Sequence, residues 1–442
     1  MANSTETASS TILIVLSHST IVDTLYCHLS VADMLSLRLV CSVVHGAVHG
    51  WLPSVYNVEN HLAHFFDDPL SFRILQARTG TIVSGSNALQ FFERSYYPNS
   101  DLDLYVPCRH TYHVAKWLVT NDYNPVFTEK QRNILQGTTF ASLLEQISRR
   151  RISRYHGQPL PGEAEYGHSA MEDVFTFVHQ SNPDLKVQMI VIDPRSTPIA
   201  AVLHFHSTLV MNFITWDRAY SLFPSATFLH RSCLTFGDVD KEPRLHDIYH
   251  KYWARGFRIP AQPFLTTEIA KLFKWGVRTI DDRHSWVIKL NTQELLAAIN
   301  QDDTAFTPPP THQTAGFTLL NRGGVWHGRG DLRRNPDHTK YRDRQAAIYY
   351  RELYSPALKS ALTLPYTDPQ KTDPFFHIWS VVQAQEAFEK NQAKLADPEV
   401  DLSETTNPDE IRDWKYWDKE VLDSVRSKIG RAAFYVEVEP LD

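Results

Sequence analysis

The sequence predicts an α+β protein, and three observations lead to this class. The chain has 442 residues, of which 43% are hydrophobic and 12% aromatic, enough for a large core and two or three domains. Apolar residues recur at helical spacing near the N-terminus, and short apolar runs alternate with helical patterns in the middle of the chain. We therefore expect a disordered tail at 1–11, a helical module at 12–52, a mixed β-sheet flanked by helices at 53–235, and a mostly helical region at 236–442.

Composition and charge limit the possible partners and the cellular compartment of the protein. The net charge of −6 and the pI of about 6.4 give no global basic field that would attract nucleic acid, although a local basic patch stays open. The four cysteines are far apart and form no C-x-x-C, which argues against a zinc knuckle and suits a reducing compartment. The first apolar run, residues 12–16, is too short for a signal sequence or a membrane span. We expect a cytoplasmic or nuclear protein with no membrane partner.

The N-terminal module is rich in apolar side chains. Two groups recur at helical spacing: Ile21, Leu25 and Leu29, then Leu35, Leu39 and Val43. Asp33 is the expected N-cap of the second helix. About forty residues with this many apolar side chains cannot bury them all in three short helices, so some must face another domain or another chain.

The central region gives the clearest local signals. Asp68 as N-cap, Pro69 in the first turn and Gly80 past the end predict a helix. "TIVSGS" predicts a strand running into a tight turn, "NALQFFER" a helix, and "DLDLYVP" a strand that Pro107 ends. "DVFTFVHQ" and "LKVQMIVID" predict an antiparallel hairpin, "TPIAAVLHF" a helix and "STLVMNFIT" a strand. Beyond residue 236 we expect helices near 341–364, 374–396 and 409–430.

A pair of carboxylates in the "DLDLYVP" strand is the first candidate for chemistry. Residues two apart in a strand face the same side, so Asp101 and Asp103 project together while Leu102 and Leu104 enter the opposite, packed face. On an exposed sheet edge, such charges discourage aggregation. In a cleft, a divalent cation would balance them, and hard oxygen ligands suit Mg²⁺ or Mn²⁺.

The Gly-Ser turn supplies a complementary part. Gly85 can take a backbone conformation closed to other residues, and its amide and that of Ser86 can point at a phosphate from the mouth of the following helix. The Ser86 hydroxyl adds a further contact. One element thus holds phosphate oxygens and the other holds the cation that neutralises them, which is what phosphoryl or nucleotidyl transfer needs.

In these residues the chain resembles the nucleotidyltransferase-fold superfamily, that of the polymerase-beta-like and aminoglycoside nucleotidyltransferases. The segments that fit are 83–86, Val-Ser-Gly-Ser, and 101–104, Asp-Leu-Asp-Leu, and the resemblance covers roughly residues 72–235. It implies that Gly85 and Ser86 hold a nucleoside triphosphate, for which we expect ATP. It also implies that Asp101 and Asp103 bind Mg²⁺, which supports attack on the alpha-phosphorus and departure of pyrophosphate.

The third carboxylate of that family is replaced here. The family carries it on a later strand, and in "KVQMIVI" Gln188 stands at the corresponding place. A glutamine oxygen can ligate a metal but brings no charge and cannot act as a base. Asp184 or Asp193, at the ends of that strand, can substitute only if the fold brings them to the site. The domain therefore either transfers a nucleotidyl group to an unknown acceptor or binds the nucleotide without turning it over.

The N-terminal module resembles an F-box. Leu-Arg-Leu-Val-Cys at 37–41 is the most specific part of the match, and Ser17 departs from the usual proline. The resemblance implies that the module binds the Skp-type adaptor of a cullin-RING ubiquitin ligase, which would make the rest of the chain a substrate-recognition domain with an inactive nucleotidyltransferase-like cleft. The residues expected to bind this partner are Leu16, Ile21, Leu25, Leu35, Leu39 and Val40. The alternative is that these helices dock onto the body of the same chain.

Overall fold

The structure is a computed structural model that describes nine segments of the chain. They are residues 19–37, 40–98, 100–149, 171–236, 243–259, 267–302, 315–321, 346–353 and 362–365. These segments contain helices and two β-sheets, which confirms the α+β class. Within them, no helix combines the length and the hydropathy needed to cross a membrane. The tail predicted at 1–11 and the helices predicted at 374–396 and 409–430 lie outside the described residues.

The N-terminal module forms three helices: α1 Ser19–Cys27, α2 Val31–Leu37 and α3 Ser42–Val55. The sequence suggested Asp33 as the N-cap of α2, and the structure shows that this expectation is wrong. Ser30 is the cap, because its hydroxyl accepts from the Asp33 N–H at 3.1 Å and the Asp33 carboxylate accepts from the Ser30 N–H at 3.2 Å. This reciprocal arrangement is a capping box, which places the acid three residues after the cap.

The inner side of this module packs onto the body of the chain. Tyr26, Val48 and Trp51 are buried in the same apolar cluster as the central strands. Arg94, in the body, donates to the backbone carbonyls of Tyr26 and Leu29, and its guanidinium lies 5.5 Å from the Trp51 ring centroid. The helices are therefore docked on their own chain through one side.

The strands build two sheets. Their bounds are β1 Ile82–Ser84, β2 Leu102–Pro107, β3 Tyr123–Val126, β4 Met171–His179, β5 Lys186–Ile192, β6 Asn212–Ile214, β7 Arg218–Ser221, β8 Gly276–Thr279, β9 Trp286–Lys289, β10 Gly316–Asn321, β11 Ala346–Leu353 and β12 Leu362–Pro365. The central sheet has the order β3-β4-β5-β2-β1-β6-β7-β9. Only the β2–β5 pair is parallel within it, so the sheet is mixed. The second sheet has the order β12-β11-β10-β8.

The remaining helices follow most of the sequence signals. They are α4 Val58–Leu62, α5 Pro69–Thr79, α6 Gly85–Glu93, α7 Thr111–Thr120, α8 Glu129–Leu135, α9 Phe140–Ser148, α10 Pro198–Leu203, α11 Arg244–Ala254, α12 Thr267–Ala270 and α13 Gln293–Asp302. Helix α5 begins and ends as predicted: Asp68 accepts from the Ser71 N–H, Pro69 opens the helix, and Gly80 follows it with φ of 69°. The predicted antiparallel hairpin is the β4–β5 pair.

Each face of the central sheet packs against a different apolar cluster. Leu102 and Leu104 belong to the apolar cluster that also contains helix residues such as Phe92 and Leu118. Tyr105 and Ile190 point to the other face, where a second cluster includes α10 and strands of the second sheet. The alternation expected for β2 is therefore present.

The chain beyond residue 235 departs most from expectation. Strand β9 pairs with β7, so the central sheet continues past the predicted boundary. The helix predicted near 341–364 is wrong, because residues 346–353 and 362–365 form strands. Ala346, Ala347 and Ile348 are buried where β11 pairs with β10, and this pairing overrides the helical preference of the alanines and charged residues around them. The part of 236–442 that is described holds both helices and strands rather than mostly helices.

Candidate functional site

The turn between β1 and α6 lies directly against a carboxylate. Ser84, the last residue of β1, pairs in register with Asp103 on β2. Gly85 follows with φ of 69°, and a Cβ atom added there would overlap Asp103 Oδ2 and lie 3.2 Å from its Cγ. Only glycine fits both the left-handed backbone and this close approach. The fold thus brings the Gly-Ser turn and the acidic strand together.

The structure also brings together Asp101, Asp103 and Gln188, the three residues predicted to take part in catalysis. Asp101 and Asp103 are partly exposed, whereas Leu102 and Leu104 are fully buried on the opposite face. Gln188 pairs in register with Asp103 on the parallel strand β5, and its Nε2 atom donates to Asp101 Oδ2 at 2.8 Å. The amide therefore stands beside both carboxylates, at the position expected for it.

The surroundings of the carboxylate pair disfavour the charged form of Asp103. Burial, and secondarily the nearby Asp101, raises the pKa of Asp103 to about 7, while Lys251 acts in the opposite direction. Two acids held this close and partly shielded from water favour a bound cation, which would stabilise both in the ionised form.

The Ser86 side chain is engaged within the protein. Its hydroxyl lies 2.8 Å from the Ser100 hydroxyl, which also accepts from Gln90 Nε2 at 3.0 Å. Gln90 in turn accepts from the Tyr97 N–H at 2.6 Å. The Ser86 hydroxyl, expected to contact a phosphate, therefore helps fix the loop between α6 and β2.

The start of α6 offers backbone donors instead. Ser84 occupies the N-cap position, but its hydroxyl donates to the Asn212 carbonyl at 2.6 Å and makes no capping bond. The first N–H groups of a helix lack intrahelical acceptors, and they carry the positive end of the helix dipole. An anion at the Gly85 turn would meet these groups.

A cationic side of the site was missed from the sequence. Lys251 lies on α11, and Arg255, one turn later, is the C-cap of that helix, in the region to which no role was assigned. Burial and Arg255 lower the pKa of Lys251, while Asp103 and Asp101 raise it. Arg255 is stacked 3.7 Å from the Tyr97 ring centroid and 5.3 Å from that of Tyr252. The signal was present as two basic residues four apart, but only the fold shows that Lys251 interacts with Asp101 and Asp103.

The alternative acids do not complete the site. Asp193 follows the far end of β5, about five residues and roughly 16 Å along the strand from Gln188, and it is paired with Arg195 at 2.8 Å. Asp184 is exposed in the turn of the β4–β5 hairpin. Across the described segments, no group of three or more His, Cys, Asp or Glu side chains is placed to hold a metal ion.

A separate surface cavity lies away from these residues. It has a volume of about 300 Å³ between α8 and β4 and is lined by residues that include Gln131, Ile134, Met171 and Asp173. The Gln131 amide in its wall donates to Asp173 at 3.3 Å and to the Val174 carbonyl at 2.9 Å. None of the candidate acids lines it.

The predicted partner-binding residues divide into two sets. Ile21, Leu25 and Val40 are 45%, 47% and 67% exposed, on the side of the module that does not pack on the body. The side chain of Leu35 is not among those described, although its backbone lies in α2, and Leu16 and Leu39 lie outside the described residues.

Comparison with known proteins yields no match: no family model, no curated protein and no solved structure is significantly similar to this chain. What the site does is therefore inferred from its own geometry and chemistry.

Proposed function

We propose that the Gly85 turn, together with Asp101 and Asp103 beside it, binds a nucleoside triphosphate, ATP as first choice, and Mg²⁺ or Mn²⁺. The observation that carries this proposal is the packing of the Asp103 carboxylate directly against Gly85. A cation on the acid and a phosphate on the turn would be neighbours in that geometry. Metal and phosphate would then neutralise each other.

The residues present fit one hard divalent cation. Asp103 on β2 and Asp101 just before that strand offer carboxylate oxygens, and these are the ligands that Mg²⁺ prefers. Bound there, the ion would withdraw charge from the phosphate oxygens. The protein residues have the other tasks: the first amides of α6 orient the phosphates, and Gln188 holds the Asp101 carboxylate in place through its N–H.

Transfer of the nucleotidyl group is the reaction that such a complex supports. An acceptor oxygen would bond to the alpha-phosphorus while the bond to the leaving pyrophosphate breaks. The proton of the acceptor would pass to solvent, because Gln188 cannot take it. This favours an acceptor that ionises easily and predicts slow turnover with an ordinary hydroxyl.

Binding of each of the four common ribonucleoside triphosphates, measured by calorimetry with and without Mg²⁺, tests the proposal. The key variant is Asp101→Asn/Asp103→Asn, and the matched control is Asp184→Asn in the exposed hairpin turn. We expect magnesium-dependent binding in the wild type and the control but not in the double variant. Equal binding by all three proteins, or none by the wild type, would contradict it. Incorporation of label from the alpha-phosphate then reports transfer.

A second function is favoured by the exposed apolar residues of the N-terminal module. We propose that Ile21, Leu25 and Val40 contact a protein partner, the Skp-type adaptor of a ubiquitin ligase. These side chains remain exposed although Tyr26 and Trp51 of the same module are buried against the body. Large apolar side chains left on the surface after a module has docked are typical of a second interface.

Surface variants test this better than removal of the module, because removal would uncover the core that Tyr26 and Trp51 complete. We expect Ile21→Asp/Leu25→Asp to abolish capture of a purified Skp-type adaptor. The control Val119→Asp changes an apolar residue of similar exposure, 48%, on α7. Unchanged capture by the double variant would remove the adaptor proposal and leave the cleft unaffected.

A further inference from the structure

We infer that the site is built for a single divalent cation, and that Lys251 supplies the positive charge facing the phosphates that a second cation would otherwise provide. This inference rests on the proposed nucleotide binding, and it assigns a role to a helix that the sequence left without one. Metal-dependent phosphoryl transfer commonly uses two cations about 4 Å apart. The number of cations that a given site binds therefore has to be decided from its own residues.

The first argument is the donor set. Asp101 and Asp103 together carry the charge that balances one divalent cation. Position 188, their neighbour on β5, is a neutral amide. A second cation close to the first would find no further negative protein group among these three side chains, and the two cations would repel each other.

The second argument is the direction of the Gln188 amide. Its N–H points at Asp101 Oδ2 from 2.8 Å. A hydrogen-bond donor therefore occupies the edge between β2 and β5, where a second cation would need an acceptor. If the amide turned, its neutral oxygen would lie beside Asp101. An amide oxygen binds a divalent cation more weakly than a carboxylate does.

The third argument is the position of Lys251. It interacts electrostatically with both Asp101 and Asp103, and in the part of the chain that the structure describes it forms no direct ion pair with either carboxylate. A lysine is a compact point charge on a flexible stem and is well suited to phosphate oxygens. A second cation entering beside Lys251 would be repelled by it.

Side-chain contacts fix the position of helix α11 relative to the rest of the site. Arg255 stacks on Tyr97, whose N–H donates to Gln90. The Gln90 amide donates to Ser100, which contacts the Ser86 hydroxyl beside the turn. This chain of contacts links Arg255, the C-cap of α11, to the phosphate-binding turn, and Lys251 lies one turn before Arg255 on that helix.

Counting bound Mn²⁺ tests the inference without reliance on activity. The electron paramagnetic resonance signal of free Mn²⁺ is followed while the full chain is titrated with Mn²⁺ alone and then with Mn²⁺ and ATP. We expect one Mn²⁺ per chain. Gln188→Glu, which introduces a carboxylate of nearly the same size, should bind a second Mn²⁺ and hold the first about tenfold tighter, because ligand charge sets the affinity of such sites.

The role of Lys251 is measured with the same titration. Lys251→Gln should admit a second Mn²⁺ when ATP is present and weaken ATP binding at one equivalent of Mn²⁺ by about tenfold, the usual scale for one charge-assisted contact. The control Lys116→Gln, on the exposed face of α7, should match the wild type. Thermal melts establish that the variants fold.

The outcomes separate the two proposals. No Mn²⁺ bound by the wild type would overturn the proposed function itself. Two Mn²⁺ ions bound by the wild type would overturn only the single-cation inference. One ion in the wild type with Lys251→Gln behaving as wild type would overturn the role of Lys251.

Discussion

Replacement of Asp103 by asparagine should stabilise the ligand-free protein while it destroys cation binding. Burial, and secondarily the nearby charge of Asp101, raises the pKa of Asp103 from an ordinary 3.8 to about 7. The folded state therefore binds more protons than the unfolded state between pH 4 and 7. Its free energy of unfolding falls as pH rises through that window, and the cost is fully present above pH 7. Asparagine has nearly the same shape and no charge.

The size of the effect follows from the pKa. Each pKa unit corresponds to about 1.4 kcal/mol, so the full shift is worth up to about 4 kcal/mol above pH 7. Asp103 keeps some contact with solvent, which reduces this value. We expect Asp103→Asn to raise the free energy of unfolding by about 2 kcal/mol at pH 8 and by clearly less at pH 5.

Urea unfolding of the ligand-free protein at pH 5, 6.5 and 8 measures the predicted trend. The control Asp184→Asn removes an exposed carboxylate and should change stability little at any of the three. Addition of Mg²⁺ and ATP should then stabilise the wild type and not Asp103→Asn. A variant that is less stable than the wild type at pH 8, or a gain that does not depend on pH, would refute the reasoning.

Three further substitutions test the frame around the site. Gly85→Ala should cost about 3 kcal/mol, because of the left-handed backbone and the overlap with a carboxylate, and should abolish nucleotide binding; calorimetry beside Gly46→Ala, a helical glycine with open space around it, checks this. Arg73→Met should destabilise the fold by about 3 kcal/mol in urea, since this fully buried side chain bonds to one carboxylate and two backbone carbonyls from distant segments. Arg94→Met should speed proteolysis of the N-terminal helices without lowering nucleotide affinity, as limited digestion would show.

Local signals in the sequence were enough to predict the elements around the cleft. The cap, proline and glycine of α5 act over a few residues, and the structure has them where the sequence places them. The placement of Asp101 and Asp103 on one side of β2 follows from the two-residue period of a strand. The place of Gln188 beside the acids was expected from the resemblance to the nucleotidyltransferase fold rather than from a local pattern, and in the structure Gln188 pairs with Asp103.

Long-range pairing accounts for what the sequence did not show. Residues 346–353 have helical propensity, yet they pair with β10 and become a strand. Lys251 interacts electrostatically with Asp101 and Asp103 although some 150 residues separate them along the chain, and no local rule brings α11 near β2. The Ser86 hydroxyl faces Ser100 because of the loop path between α6 and β2, which periodicity does not specify.

Helix α6 connects the two proposed functions and also keeps them apart. Its N-terminal end is the Gly85 turn, and its C-cap is Arg94, which holds the carbonyls of the N-terminal module. Nine helical residues span about 14 Å, so a partner on the outer side of the module would approach from the end of α6 opposite to the phosphates. Partner and nucleotide therefore should not compete for space.

If α6 moves when either one binds, each should change the affinity for the other by the same factor, because such coupling is reciprocal. Nucleotide affinity measured with and without a saturating partner distinguishes a rigid α6 from a coupled one.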